Sequence, residues 1–382
     1  MDLTESDAEQ AFRAEAREWL AANKPNLPMP PGDSAAGFGV HRDWERKLFD
    51  AGWAVVSWPR EYGGRDATLW EWLIFEEEYY RAGLPQRVAQ NGIFLLAPTI
   101  FEFGTQEQKD TLLPRMAAVE DLWCQGWSEP GAGSDLAALT SRAERDDERA
   151  GWRLFGQKTW TTRGAFCSHL FGLFRTDPSA ERHRGLTYFL LDLDQPECTV
   201  RPVDKLDGEA GFAEVFLDGA FVPDADVLGG VGEGWSVAMA TTGSERGLSL
   251  RSPGRFQAVV DRLIDRYREQ DAAGRIEDAS LREEVADGWM AAQAYKLATD
   301  VTVTRLAEGA SMGPESSLSK IFWSEMDIAL HETALRLAGP DSNLDDEWAR
   351  AFEFSLAGPI YAGTNEIQRN VIAERLLGLP RK

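Results

Sequence analysis

The chain has 382 residues, 43% hydrophobic and 27% charged, which is enough to bury the cores of two or three packed units. A formal net charge of −23 argues against nucleic acid and anionic membrane surfaces as partners. No apolar run approaches membrane-spanning length, and the polar start Met1-Asp2-Leu3-Thr4-Glu5-Ser6-Asp7 lacks a signal-peptide core, so we expect a cytoplasmic protein without membrane insertion.

The first third reads helical. Leu3, Ala8, Phe12, Ala16, Trp19 and Leu20 recur at helical spacing, and the pattern stops at Asn23-Lys24-Pro25. A loop rich in Pro and Gly follows through Gly39. A second helix is expected over 41–50, ending before Gly52. Trp58-Pro59-Arg60-Glu61-Tyr62-Gly63-Gly64 reads as a turn-rich connector. A third helix is expected over 70–81, with Glu76-Glu77-Glu78 as a solvated face.

The middle changes character. Between 122 and 227 the apolar residues come in short runs of strand formers: Trp152-Arg153-Leu154-Phe155, Leu170-Phe171-Gly172-Leu173-Phe174, Thr187-Tyr188-Phe189-Leu190-Leu191 and Glu214-Val215-Phe216-Leu217. Turn residues divide them, which suggests a small barrel or sandwich. After Gly229-Gly230-Val231-Gly232-Glu233-Gly234-Trp235 the helical period returns. Long helices are expected over 235–270, 281–309, 316–338 and 364–377, and they suggest a bundle. Cys124, Cys167 and Cys198 have no C-x-x-C spacing and read as reduced, mostly buried thiols. His41, His169, His183 and His331 form no metal-ligand pattern, so no metal site is expected.

One stretch points to a ligand: Trp127-Ser128-Glu129-Pro130-Gly131-Ala132-Gly133-Ser134-Asp135. Glycines at this density tolerate positive φ and let backbone pass close to a ligand. Their N–H groups can form an anion-binding concavity. The same composition also makes an ordinary turn.

This stretch, the connector before the acidic helix, and Gly104-Thr105-Gln106-Glu107-Gln108-Lys109 leading to Leu113-Pro114 resemble the acyl-CoA dehydrogenase family. The resemblance runs from near the N-terminus to Arg375. It implies an α+β, mainly helical fold: an N-terminal helical domain (1–120), a central small β-barrel domain (121–228) and a C-terminal four-helix bundle (229–382). It also implies FAD as cofactor and α,β-dehydrogenation of an acyl-CoA thioester. Such a reaction removes a proton from Cα and a hydride from Cβ. The hydride needs a flavin, since no side chain accepts one. The proton needs a positioned base. The thioester oxygen needs hydrogen-bond donors.

Many members of the family carry the base in a Tyr-Glu-Gly-Thr segment. Here the segment is Ile360-Tyr361-Ala362-Gly363-Thr364-Asn365-Glu366-Ile367-Gln368-Arg369, and Ala362 cannot accept a proton. A second subgroup places its glutamate before an arginine on the first bundle helix. Gly243-Ser244-Glu245-Arg246-Gly247 matches it. Read without the family, Glu245 is a surface residue beside an arginine. With the family, it is the base, in a pocket whose dryness would raise its pKa. The backbone N–H of Ala362 is the implied oxyanion donor.

The resemblance further implies flavin contacts from Gln125, Trp127, Ser128, Gly133 and Ser134, from Trp160 and Thr162 of Lys158-Thr159-Trp160-Thr161-Thr162, and from Thr364 and Glu366. With 14 tryptophans in the chain, Trp160 alone also reads as a core aromatic. Ser134, Gly243, Arg246, Tyr361, Ala362 and Gly363 would hold the acyl thioester. Electron-transfer flavoprotein is the implied acceptor. The acyl group is expected to be bulky or branched, like a steroid side chain.

Two family elements are altered. The Arg-x-Thr-Phe-Gly segment that reaches a neighbour's flavin is missing from Arg268-Glu269-Gln270-Asp271-Ala272-Ala273-Gly274-Arg275, and the Gln-x-x-Gly-Gly patch reads Arg336-Leu337-Ala338-Gly339-Pro340. The expected assembly is an α2β2 heterotetramer with a second acyl-CoA dehydrogenase homologue, or a homodimer or homotetramer in which Arg275 substitutes. Alternative functions are a carrier-protein-linked acyl dehydrogenase, an acyl-CoA oxidase, and a non-catalytic acyl-CoA-binding subunit of a heteromer.

Overall fold

A computed structural model describes residues 4–246, 252–310, 312–343 and 346–380, with the side chains of 244–246 and 343 outside it. In chain order the helices are α1 (Asp7–Asn23), α2 (Ala35–Asp50), α3 (Leu69–Arg81), α4 (Ala97–Phe103) and α5 (Gln106–Ala117). Eight strands follow: β1 (Trp123–Gly126), β2 (Arg142–Asp146), β3 (Gly151–Thr162), β4 (His169–Arg175), β5 (Leu186–Asp192), β6 (Cys198–Val203), β7 (Phe212–Pro223) and β8 (Val227–Leu228). The remaining helices are α6 (Gly234–Arg246), α7 (Pro253–Ala272), α8 (Ser280–Ala307), α9 (Ser316–Ala338), α10 (Glu347–Ser355) and α11 (Asn365–Val371). Contacts divide the chain into two units, residues 1–27, 67–85 and 246–382, and residues 28–66 and 86–245.

The first unit is all helical. Ser6 opens α1 and Thr68 opens α3, each through a reciprocal capping box with the glutamate three residues on. Phe256, Leu263, Tyr295, Trp323, Leu330 and Trp348 centre a core shared by α7, α8, α9 and α10. Helix α3 joins it at close quarters: a Cβ on Gly254 would lie 2.8 Å from Cα of Glu77, so only glycine permits this crossing.

The second unit holds the sheet. Its strands run in the order β6-β7-β3-β2-β4-β5-β8, with β1 added in parallel on β4. Leu154, Leu170, Phe174, Phe189, Val215 and Leu217 form one buried cluster, and β5 also packs against β7. The sheet therefore curls around this core. Helices α2, α4 and α5 preceding the sheet and α6 following it complete the unit.

Four expectations change. Helix α2 starts at Ala35 and not at 41, because Ser34 accepts from the N–H of Gly37 and starts the helix inside the glycine-rich stretch. Glu76, Glu77 and Glu78 are buried, not solvated. The single helix expected over 235–270 is two helices, and Ser252 caps the second with Pro253 at its first position. Helix α10 was not expected at all. Its nine residues are too few to show a period against the flanking loops. Among the described residues no helix is long and apolar enough to cross a membrane, and no His/Cys/Asp/Glu group is arranged to hold a metal ion.

Candidate functional site

In the second unit, strand β1 ends in the glycine-containing loop. Glu129 and Ala132 exchange backbone hydrogen bonds at 2.9 and 3.0 Å, which closes a tight turn over the exposed Pro130-Gly131. Gly131 and Gly133 do not adopt positive φ, so the conformational reason for glycine does not apply. A Cβ on either would meet no protein atom, so the fold itself does not require glycine there. Ser134 is exposed.

The second predicted segment lies beside this loop. The N–H of Thr159 donates to the carbonyl of Ser128 at 2.9 Å. The pairing of β3 with β7 shifts register between Lys158 and Thr161, and Trp160 sits in the resulting bulge. Trp160 has a φ of 57° and is 63% exposed. A left-handed backbone costs a residue other than glycine about 1–2 kcal/mol. Its only ring neighbour among the described residues is Phe212, edge-on at 5.7 Å. Trp160 is therefore not a core aromatic. Three side-chain groups close by are buried without a hydrogen-bond partner among the described residues: Nε2 of Gln125, Nε1 of Trp127 and Oγ1 of Thr161. Two of these are pure donors. Such groups are costly to leave unpaired, and they suit a planar ligand bearing ring acceptors.

A buried ion pair underlies both segments. Lys158, fully buried, donates to Oε1 of Glu129 at 2.8 Å and to the carbonyl of Leu173 at 2.9 Å. Burial raises the Glu129 carboxyl, but the Lys158 charge and the donors from Lys158, Thr140 and Ser141 outweigh it and bring it down to about 2. Burial pushes Lys158 down to about 8 against the pull of Glu129. Sequence reading assigned neither residue a role. The signal was available: Lys158 shares the strand face of Trp152 and Leu154, both buried, and a lysine on an inward face requires a counter-charge.

Helix α6 carries the next candidates. Thr241 is buried, with its hydroxyl 2.9 Å from that of Thr99 and 3.4 Å from that of Tyr188. The Tyr188 ring in turn meets Trp127 edge-on at 6.3 Å. Gly243 follows two residues later, where a Cβ would meet no protein atom. Glu245 and Arg246 are in the last turn of α6, and their side chains lie outside the described residues.

In the first unit, the segment from Tyr361 to Glu366 turns the chain from α10 into α11. Ala362 and Gly363 both have positive φ, 56° and 79°. Gln368, buried, holds the turn by donating from Nε2 to the carbonyls of Ala362 at 2.9 Å and Gly363 at 3.3 Å. Among the described residues the N–H of Ala362 has no acceptor. Thr364 caps α11 by accepting from the N–H of Ile367. The Tyr361 ring stacks on Trp323 at 5.8 Å and packs against the bundle core. Glu366 is exposed in the first turn of α11, and backbone and Thr364 hydrogen bonds lower its carboxyl below the ordinary value. The structure thus brings Gln125, Trp127, Ser128, Trp160 and Thr162 together in one unit, and Tyr361, Ala362, Gly363, Thr364 and Glu366 in the other.

Comparison with known proteins matches three family descriptions along the chain. They are the N-terminal domain of acyl-CoA dehydrogenase at residues 6–120, the middle domain at 124–220 and the C-terminal domain at 232–377. The chain is 40% identical to acyl-CoA dehydrogenase IpdE1 of Mycobacterium tuberculosis, over 98% of each chain. Among solved structures it is similar to one described as a Tcur3481-Tcur3483 steroid ACAD, with a TM-score of 0.88 and 25% identity over the whole of both chains. It is also similar to the ChsE4-ChsE5 complex from Mycobacterium tuberculosis, with a TM-score of 0.83 and 27% identity over the whole of both chains.

Proposed function

The chain belongs to the acyl-CoA dehydrogenase family, and from that premise we propose that it oxidises an acyl-CoA thioester between Cα and Cβ with FAD as its cofactor. Members are flavoproteins and oxidoreductases, with FAD the usual cofactor. The observation that carries the reading is Trp160, held outward on strained backbone in the same unit as the buried side-chain N–H groups of Gln125 and Trp127, which have no partner among the described residues. A flat ring with acceptor atoms suits this arrangement.

Bound flavin supplies the acceptor for the hydride leaving Cβ. The chain's residues do the rest. Gln125, Trp127, Ser128, Gly133, Ser134, Trp160, Thr162, Thr364 and Glu366 are the residues of this chain that would hold the cofactor. Glu245 takes the Cα proton as general base. That assignment is supported by Ala362, which leaves the alternative base position without a carboxylate. The backbone N–H of Ala362 donates to the thioester oxygen and stabilises the charge that develops there as Cα loses its proton. Ser134, Gly243, Arg246, Tyr361 and Gly363 orient the acyl thioester. Tyr361 does so through its backbone, since its ring packs on Trp323.

The substrate class we propose is a bulky, steroid-like acyl-CoA, supported by the steroid ACAD to which the chain is similar over its whole length. Electron-transfer flavoprotein is the proposed acceptor. The test is the visible spectrum of the purified protein, alone and with linear, branched and steroid-side-chain acyl-CoAs. Bleaching of the flavin by a steroid-type thioester is expected. Oxygen consumption without an added acceptor would mark an oxidase, preference for a carrier-bound acyl group would mark a carrier-linked enzyme, and absence of flavin under all conditions would leave only a non-catalytic subunit.

A further inference from the structure

Glu129 and Lys158 have no part in that reading, yet their geometry points to one. We propose that this buried pair is a positioning clamp that fixes the flavin-facing backbone, an inference that rests on the assignment of those loops to FAD. Lys158 has three donors and three acceptors: Oε1 of Glu129 at 2.8 Å, the carbonyl of Leu173 at 2.9 Å and the carbonyl of Trp127 at 3.4 Å. Its ammonium also lies 4.7 Å from the centre of the Phe174 ring. Glu129 accepts from the N–H of Thr140 at 2.7 Å, its hydroxyl at 2.9 Å and the N–H of Ser141 at 2.9 Å. One pair thereby ties the loop after β1, the segment entering β2, and strands β3 and β4.

Burying two charges is expensive, and an apolar pair of the same volume would serve packing as well or better. What an apolar pair cannot do is aim hydrogen bonds. Lys158 is the last residue of β3 in register before the bulge, and pairing resumes at Thr161. Fixing Lys158 on one side therefore fixes where Trp160 turns out. On the other side the Trp127 carbonyl is taken by Lys158 and the Ser128 carbonyl by Thr159. The loop is held by its carbonyls, while the buried side-chain nitrogens Nε2 of Gln125 and Nε1 of Trp127 have no hydrogen-bond partner among the described residues. A left-handed tryptophan persists only where its surroundings over-determine it.

The test compares the wild-type chain with Glu129→Gln and with the double variant Glu129→Gln/Lys158→Met, each prepared alone and with a co-expressed homologue. Thermal unfolding without FAD, FAD affinity by fluorescence titration, and the visible spectrum and midpoint potential of bound FAD are measured. The double variant, which leaves no unpaired charge, is expected to unfold near the wild-type temperature. It should bind FAD at least about tenfold more weakly and shift the spectrum and potential of what it binds. Glu129→Gln, which keeps an acceptor for Thr140, should move FAD affinity in the same direction and gives the readout should the double variant not fold. Folded variants with wild-type affinity, spectrum and potential would show the pair to be structural and overturn the clamp alone. A wild-type chain that takes up no FAD in either preparation would overturn the functional reading, and the clamp with it.

Discussion

Trp160 is unfavourable twice over in the free chain. Its φ of 57° costs about 1–2 kcal/mol, and at 63% exposure its ring gains little from burial. Asparagine tolerates the left-handed region and needs no apolar cover. Trp160→Asn should therefore change the stability of the flavin-free chain by less than about 1 kcal/mol, against the roughly 3–5 kcal/mol of truncating a core aromatic. FAD affinity should fall at least about tenfold. Denaturant unfolding and FAD titration check both, and a large loss of stability with intact FAD binding would return Trp160 to the core. For Glu245 the expectation is on rate. Glu245→Gln should retain FAD and ligand binding and lower turnover by at least about a hundredfold, the low end for a positioned general base. Near-normal steady-state turnover would remove it from that role. Sequence and family pattern pointed to both residues, but not to the way Trp160 is presented. A bulge and a positive φ leave no trace in side-chain periodicity.

At the scale of elements, the acidic triplet of α3 shows what sequence could not show. Periodicity located the helix to within a residue at its start, yet three consecutive glutamates read as a solvent face. Glu77 and Glu78 are met by cations from distant segments: Glu78 receives Arg13 at 2.7 Å and Arg17 at 2.9 Å, besides Arg81 of α3 itself, and Glu77 receives Arg13 at 2.9 Å and Lys296 at 3.1 Å. Nothing local in 70–81 reports partners that lie about sixty and two hundred residues away. Burial raises the Glu78 carboxyl, but Arg17, Arg13 and Arg81 outweigh it and hold it below the ordinary value. With the folded pKa depressed, the stability it contributes is present above the unfolded value and lost as pH falls through the folded one. Glu78→Gln should cost about 2–3 kcal/mol at neutral pH. The deficit relative to wild type should shrink on acidification below the unfolded glutamate pKa. Denaturant unfolding of both proteins across that range checks the prediction, and a deficit independent of pH would mean that the carboxylate charge is not what stabilises α3.

For the molecule as a whole, the open question is who supplies the second set of contacts to the flavin. Loops expected to hold FAD are retained in this chain, but the two segments that family members extend to a neighbour's cofactor are changed. Arg336, at the altered patch, is engaged at home: it pairs with Asp278 at 2.6 Å and with Glu284, so it does not offer a free guanidinium to another chain. Arg275 is exposed and its side chain bonds only weakly to Gln270, at 3.5 Å, so it is a candidate substitute, as is Arg268, exposed and paired with Asp265 at 3.5 Å. Each charge-assisted contact to pyrophosphate contributes roughly 1.5–3 kcal/mol when buried, so losing one weakens cofactor retention about tenfold or more. Two of the structures similar to this chain are complexes of two different chains. We therefore expect the chain purified alone to hold FAD poorly. Co-expression with a second acyl-CoA dehydrogenase homologue should raise it to about one flavin per pair of chains, the ratio expected when only one chain of each pair has a complete flavin site. Flavin absorbance against protein concentration, with the mass of the assembly, measures this directly. A chain that purifies by itself with a flavin in every subunit and full activity would establish the homo-oligomer. Arg275→Ala should then weaken FAD retention about tenfold or more if that residue is the substitute, and unchanged retention would pass the role to Arg268.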